Sequence, residues 1–447
     1  MAKVHVTDMT TGSPLKHILA FTGPLLIGNL FQQFYNMVDS IVVGRYVGKN
    51  ALAAVGACGS MNFLFFSLSL GLAGGIGVII SQAFGARDDK QVRKAIANSY
   101  YVLISVALFF SIIGILASPG LLRMLDTPDA IIADSVLYMR ITCLGILGIT
   151  MYNGVSAILR ALGDSRTPLY FLIFCSVVNV ILDLVFVICF KMEVMGVGLA
   201  TIISQYLSAA VSLVYALRRI SYFKNTTEEL RPDMKIIGRA FRLGVPLALQ
   251  SSMIAVSCIV LQGVVNSFGE DVVAAFTITG RVEQIVQQPY GSIGTAIMTF
   301  AGQNIGAGKL DRVKQGFKQT ILVVFIFSML LIPVMYLFGG YIAGIFVSDA
   351  AVIKIAHKAL KITSLFYFPL GCIYVPRSLL NGCGDAVFSM INGATEVFGR
   401  VFFSQLFMKL SLFGIWGIWA TTACTWTITG GVCIARYIQG KWKTLRT

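Results

Sequence analysis

Charge is what this sequence has least of. Only 12% of its 447 residues are Asp, Glu, Lys or Arg, against 56% hydrophobic ones, and the mean hydropathy is +0.80. A water-soluble globule of this size is excluded. No polar stretch is long enough for a separate soluble domain. The nine cysteines show no C-x-x-C spacing and are scattered through apolar segments (Cys58, Cys143, Cys175, Cys189, Cys258, Cys372, Cys383, Cys424 and Cys433), so they read as small core residues. The three histidines, His5, His17 and His357, are placed too far apart to hold a metal together. Gly44-x-x-x-Gly48-Lys49 is one residue short of a nucleotide-binding loop, and Gly-rich runs such as Gly71 to Gly77 read as close helix packing. No ATPase machinery is visible, nor any nucleophile or acid–base constellation of a membrane-embedded enzyme.

What fills the chain instead is apolar segments. A hydrocarbon core of about 30 Å needs roughly 20 apolar residues per helical span, and twelve such stretches recur: 15–43, 51–80, 95–117, 130–157, 168–190, 195–217, 240–266, 272–303, 319–338, 351–380, 387–409 and 414–437. The expected fold class is an all-α polytopic membrane protein of twelve transmembrane helices. Several spans exceed what a bilayer needs, which suggests tilted or broken helices. The residues before Pro14 are polar, so the first helix is expected to act as its own insertion signal. The net charge of +15 is distributed by topology: 24 of the 35 Lys and Arg fall in or at the edge of alternate loops (the N-terminus through Lys16, 85–94, 160–166, 218–242, 308–318, 377 and the tail from Arg436). This bias places both termini in the cytoplasm of a cell membrane. The basic surplus then answers to anionic lipid rather than nucleic acid.

The chain also repeats itself. At an offset of 221 residues, Ser81-Gln82-Ala83-Phe84-Gly85-Ala86 falls on Gly302-Gln303-Asn304-Ile305-Gly306-Ala307, Gly163-Asp164 on Gly384-Asp385, and Gly48 on Gly269. Pro24 and Pro246, one residue out of that spacing, open the first and seventh helices. Six spans is an even number, so the halves share one orientation, a parallel repeat. The expected organisation is an N-lobe over 1–220, a polar cytoplasmic linker over 221–237 and a C-lobe over 238–447. Two lobes joined in this way can rock about the cleft between them.

An ionisable group in hydrocarbon costs roughly 2.5–3.5 kcal/mol on insertion scales, so the few that sit in spans carry information. The first helix bears Asn29, Gln32, Gln33, Asn36, Asp39 and Ser40, a polar stripe at steps of three and four. Interhelical hydrogen bonding explains Asn29 or Ser40, but not a lone acid. The fifth bears Asn179 and Asp183 on one face. Counting from the helix ends puts Asp39, Asp183 and Thr201 roughly 8–11 Å below the outer surface, with Asn179 one turn deeper. Two carboxylates in such a pocket cannot both stay ionised without a cation between them or a proton taken up, so the pocket is read as a Na⁺ or H⁺ site. At the repeat offset Asn179 and Asp183 fall on Arg400 and Ser404, and Asp39 on Val260, so only the first lobe has this site. The second has Arg281, Glu283, Gln284, Gln287 and Gln288 on the eighth helix, a polar sector for substrate or coupling, unless Arg281 or Arg400 merely neutralises Glu283. Glu396 and Arg400, four apart with the acid first, read as a structural pair.

Taken together, Pro24 with Gln32-Gln33-Phe34-Tyr35-Asn36-Met37-Val38-Asp39, Gln82-Ala83-Phe84-Gly85-Ala86, Arg160-Ala161-Leu162-Gly163-Asp164, Asn179-x-x-x-Asp183 and Gly302-Gln303-Asn304-Ile305-Gly306-Ala307 resemble the multidrug and toxic compound extrusion (MATE) transporters over nearly the whole chain. The resemblance implies two six-helix lobes, a V-shaped cleft, and antiport of organic cations, drugs and other amphipathic small molecules against H⁺ or Na⁺ by a monomer needing no cofactor. It maps a first-lobe cation site onto Asp39, Asn179, Asp183 and Thr201. Gln32, Tyr35, Asn36, Arg281, Glu283, Gln284 and Gln287 are the candidates for the substrate cleft or coupling support. The seventh and tenth helices lack the acids of the NorM-like branch, so the sequence looks closer to the DinF-like branch. A lipid-linked oligosaccharide flippase of the same superfamily is the alternative; it would carry more Arg in its cleft and lack the Asp39/Asp183 pair. A channel is disfavoured, because the acids form one asymmetric pocket rather than a ring.

Overall fold

The computed structural model describes residues 6–125, 127–410 and 413–444, leaving aside the side chains of residues 40, 49, 50, 52 and 60. His5 and the Ser40 side chain therefore lie outside the described residues. The rest is helical nearly throughout, with no strand among the described residues. The first half runs α1 (Pro14–Val42), α2 (Lys49–Ala57), α3 (Gly59–Gly85), α4 (Asp89–Met124), α5 (Asp129–Leu144), α6 (Ile146–Ala161), α7 (Arg166–Leu184) and α8 (Glu193–Arg219). The second runs α9 (Met234–Val265), α10 (Glu270–Gly306), α11 (Leu310–Gly344), α12 (Ala350–Ser364), α13 (Tyr367–Gly382), α14 (Ala386–Lys409) and α15 (Gly417–Gln439).

Three of the long spans read from sequence are broken rods. Span 51–80 is α2 and α3 meeting at Cys58, span 130–157 is α5 and α6 bent by 42°, and span 351–380 is α12 and α13 bent by 52°. Seven described helices are individually long and apolar enough to cross a membrane, and nine spans result if each bent pair counts as one. The long helices α1, α10 and α14 fall outside that set, because polar and charged residues interrupt their apolar runs.

The repeat is visible in the backbone. Helices α4 and α11, α5 and α12, and α6 and α13 begin 221 residues apart, and left-handed glycines recur at the same interval, Gly48 with Gly269 and Gly163 with Gly384. Gly163 needs to be glycine twice over: its φ is 86°, and a Cβ there would meet the Thr7 carbonyl oxygen at 2.2 Å.

The chain gathers into two compact units, Met1–Asp8 with Gly23–Ala248, and Met9–Thr22 with Leu249–Thr447. These boundaries differ from the division at 220 and 238 suggested by the polar linker. Both α1 and α9 change unit within two residues of a proline, Pro24 and Pro246 respectively. Proline removes an N–H and crowds the carbonyl four residues back, so each helix is softest there.

Within the first unit, residues 229–233 are tied to α4. Arg93 Nε meets Glu229 at 2.7 Å, Lys94 Nζ meets Asp233 at 2.6 Å, and Asn98 Oδ1 accepts the Asp233 N–H at 2.7 Å. The hydrogen bonds from Arg93 and Lys94 hold the Glu229 and Asp233 carboxyls below the usual carboxylate range. Gly71 and Gly75 of α3 pack directly on the backbone of α9, where added Cβ atoms would sit 2.5 Å from Ala248 N and 2.6 Å from Gly244 N. Within the second unit, Gln303 Oε1 accepts the Met9 N–H at 2.9 Å, and Arg312 donates to the carbonyls of Met9, Thr11 and Gly12.

Each unit has its own apolar cluster, the first around Cys58, Phe65, Met139 and Cys143, the second around Val265, Ala356, Ala359 and Trp419. Large aliphatic side chains such as Ile112, Leu116, Leu330 and Leu337 are exposed on the outside, where a bilayer rather than water solvates them. Cys189 and Cys258 are exposed too, so they are not the core residues their apolar surroundings suggested.

Candidate cation site

Helices α1 and α7 bring Asp39 and Asp183 together. Both acids belong to the first unit, and their carboxyls face one another at hydrogen-bonding range. Asp183 is fully buried, and among the described residues neither of its oxygens nor Asp39 Oδ1 has a hydrogen-bond donor. One turn along α7, Asn179 is buried with both its amide oxygen and nitrogen unpartnered. Unmatched oxygen acceptors converging in a buried place are costly unless a proton or cation serves them. Two carboxylates and an amide oxygen suit a proton or a monovalent cation. Among the described residues no group of three or more His, Cys, Asp or Glu could hold a metal ion.

Both acid-bearing helices end in a widened turn, Val43–Val47 after α1 and Val185–Cys189 after α7, and the two turns pack together. Such five-residue turns are rare and concentrate at functional sites. The second half has a tight turn, Asn266–Phe268, after α9 instead. Tyr35 of α1 and Tyr138 of α5 stand within the field of the acid pair. Tyr138, 6% exposed, was not among the residues read from sequence: it comes from a helix with no polar stripe, so no local pattern marks it.

Thr201 of α8 donates its hydroxyl to Val197 O at 2.9 Å and lines a cavity of about 330 Å³ inside the first unit. Gln32 and Tyr35 line the same cavity, whereas Asp39, Asn179 and Asp183 do not; Tyr35 is the residue shared by the two places. Asn36 is exposed.

In the second unit the polar residues of α10 part company. Arg281 and Gln284 are exposed, while Gln287 turns inward and accepts a hydrogen bond from Tyr374 Oη at 2.9 Å. Glu283 lies beside Thr363 and Tyr367, within the field of Arg400. Arg400 reaches Glu396 at 3.0 Å and Cys258 Sγ at 2.7 Å, both acid and guanidinium being buried. The pairing of Glu396 with Arg400 expected from their spacing is thus present, and of the two arginines named for Glu283 it is Arg400 that stands near.

A repeated bundle of apolar helices long enough to cross a bilayer defines a multi-pass membrane protein. The chain belongs to the MatE family, whose model matches it twice, over residues 24–185 and 246–402, once in each half. It is 31% identical to the probable multidrug resistance protein YpnP of Bacillus subtilis (strain 168), with 98% of each chain covered. It is 28% identical to the probable multidrug resistance protein YoeA of the same strain, over 89% of this chain and 88% of that one. Its fold matches the crystal structure of a MATE protein in the bent conformation with a TM-score of 0.92 at 22% identity, covering 100% of this chain and 99% of the other.

Proposed function

We propose that this protein is a cation-coupled antiporter that exports organic cations, drugs or other amphipathic small molecules by alternating access, with Asp39, Asn179, Asp183 and Thr201 as the H⁺ or Na⁺ site. The observation that carries the reading is the facing, unpartnered pair Asp39 and Asp183 in the first half alone. A pair of this kind exists in a charged and a neutralised form, and antiport needs a site whose occupancy favours one transport state over the other. Residues 1–220 and 238–447 then act as N- and C-lobes joined by the 221–237 linker, with the helices yielding at Pro24 and Pro246. Gln32, Tyr35 and Asn36 serve the substrate path in the first lobe, and Arg281, Glu283, Gln284 and Gln287 support it in the second. The test is transport of a fluorescent lipophilic cation in proteoliposomes with the Na⁺ and H⁺ gradients imposed separately. One of the two is expected to drive transport. If neither raises the rate above that of protein-free liposomes, coupling is refuted.

The distribution of Lys and Arg supports a cell-membrane protein with both termini in the cytoplasm. Cysteine placed at the exposed Lys224, in a background stripped of native cysteines, is expected to resist a membrane-impermeant thiol reagent applied to intact cells. Ready labelling from outside would reverse the orientation.

A further inference from the structure

The cavity of the first unit is lined by one full charge, and among the described residues that charge has no counterion. Arg160, in the last turn of α6, lines the cavity together with uncharged residues only. Among the described residues none of the ion pairs of the first unit includes it: Asp8 meets Arg87, Glu228 meets Lys90, Glu229 meets Arg93 and Asp233 meets Lys94. The acid nearest in sequence, Asp164, is spent on its own turn, accepting the N–H groups of Arg166 and Thr167 and the Thr167 hydroxyl. Asp39 and Asp183 do not border the cavity. The side chain that shares Arg160's field is the neutral Tyr152, whose hydroxyl donates to Pro168 O at 3.4 Å. Elsewhere the cavity wall carries short hydroxyl side chains, Ser165, Ser176, Ser204 and Ser208.

A guanidinium held in a mostly apolar chamber without an anion is costly, and its planar fork of donors matches one kind of partner best, a carboxylate or phosphate bound through two oxygens. We propose that this cavity is an oxyanion site: Arg160 binds the carboxylate or phosphate of an amphipathic ligand whose apolar body lies along Leu25, Phe66 and Leu169. The site selects among the amphipathic small molecules of the proposed export function those that carry an acidic group, zwitterions included. It thus rests on that reading for its place in transport but not for its chemistry.

The experiment is equilibrium binding to the full-length protein in neutral detergent, with no gradient, so that its outcome is independent of coupling. The probes are a rhodamine zwitterion with a free benzoate and the methyl ester of the same dye, a pure cation of nearly equal shape. Wild type is expected to bind the benzoate at least about tenfold more tightly, the effect of one charge-assisted bidentate contact. That preference is expected to vanish in Arg160→Gln and to persist in weakened form in Arg160→Lys, which keeps the charge but not the fork. Equal affinity of wild type for acid and ester overturns the proposal without recourse to any variant, as does a preference that survives in Arg160→Gln. Competition with short-chain phosphatidylglycerol separates the sources. Displacement of the benzoate dye assigns the site to a lipid phosphate, and its absence assigns it to a soluble carboxylate.

Discussion

Asparagine in place of either Asp39 or Asp183 is expected to abolish gradient-driven efflux, down to the rate of protein-free liposomes, while leaving expression and folding intact. Asn fills the volume of Asp but cannot exchange a proton or carry the charge that holds a cation. The two carboxyls face one another, and among the described residues Asp39 Oδ1 and both Asp183 oxygens have no donor, so losing either acid ends the cycle between a charged and a neutralised pair. The energy at stake is sufficient: a membrane potential of about 100 mV supplies roughly 2.3 kcal/mol per elementary charge crossing the full field. That amounts to a little under two tenfold steps of concentration. Substrate binding without a gradient should survive in at least one variant, since the pair does not border the cavity of the first unit. Reconstituted Asp39→Asn and Asp183→Asn proteins that both still export at the wild-type rate under a Na⁺ or a H⁺ gradient would show that coupling lies elsewhere.

The second large effect is expected at Arg400, and on stability rather than transport. Its guanidinium serves two acids, Glu396 at 3.0 Å and Glu283 through its field, so Arg400→Met strands two carboxyls in the interior, whereas Glu396→Gln leaves Arg400 still facing Glu283. Breaking a buried pair by removing one partner typically costs about 3–5 kcal/mol. Arg400→Met is expected to reach that range, Glu396→Gln to fall well short of it, and Arg400→Met with Glu396→Leu and Glu283→Leu to recover most of the loss. Thermal unfolding of the detergent-solubilised proteins ranks them. Should Arg400→Met melt with wild type, the cluster is not what holds α10 and α14 in place.

The two clusters differ in how far they can be read in advance. An acid inside an apolar run is expensive wherever it sits, so Asp39 and Asp183 are conspicuous in the bare sequence, and helix periodicity supplies Asn179 at once. The repeat is equally plain, because one offset aligns unlike motifs. Contacts between distant helices are another matter. Tyr138 reaches the acid pair from α5 and carries no local signature. Arg160 counts as one more basic residue of a cytoplasmic loop until the cavity beside it is seen. The polar stretch 221–237 reads as a linker, and nothing in its sequence announces the ties of Glu229 and Asp233 to Arg93, Lys94 and Asn98. Hydropathy likewise gives twelve spans but not the corners between α5 and α6 or α12 and α13, since a bend leaves apolar content unchanged.

The exchange of helix ends between the two units bears on how the protein is made. Residues 9–22 leave the ribosome among the first, yet Gln303, which receives the Met9 amide, follows 294 residues later. At about 5–20 residues per second that is a wait of roughly 15–60 s before this contact can form. The first unit in turn stays open until residues 234–248, the start of α9, have been synthesised. Neither half can therefore mature as a finished bead before the other begins. A gene cut at the linker would yield two polypeptides that each carry a piece belonging to the other, and such fragments should assemble only when translated together.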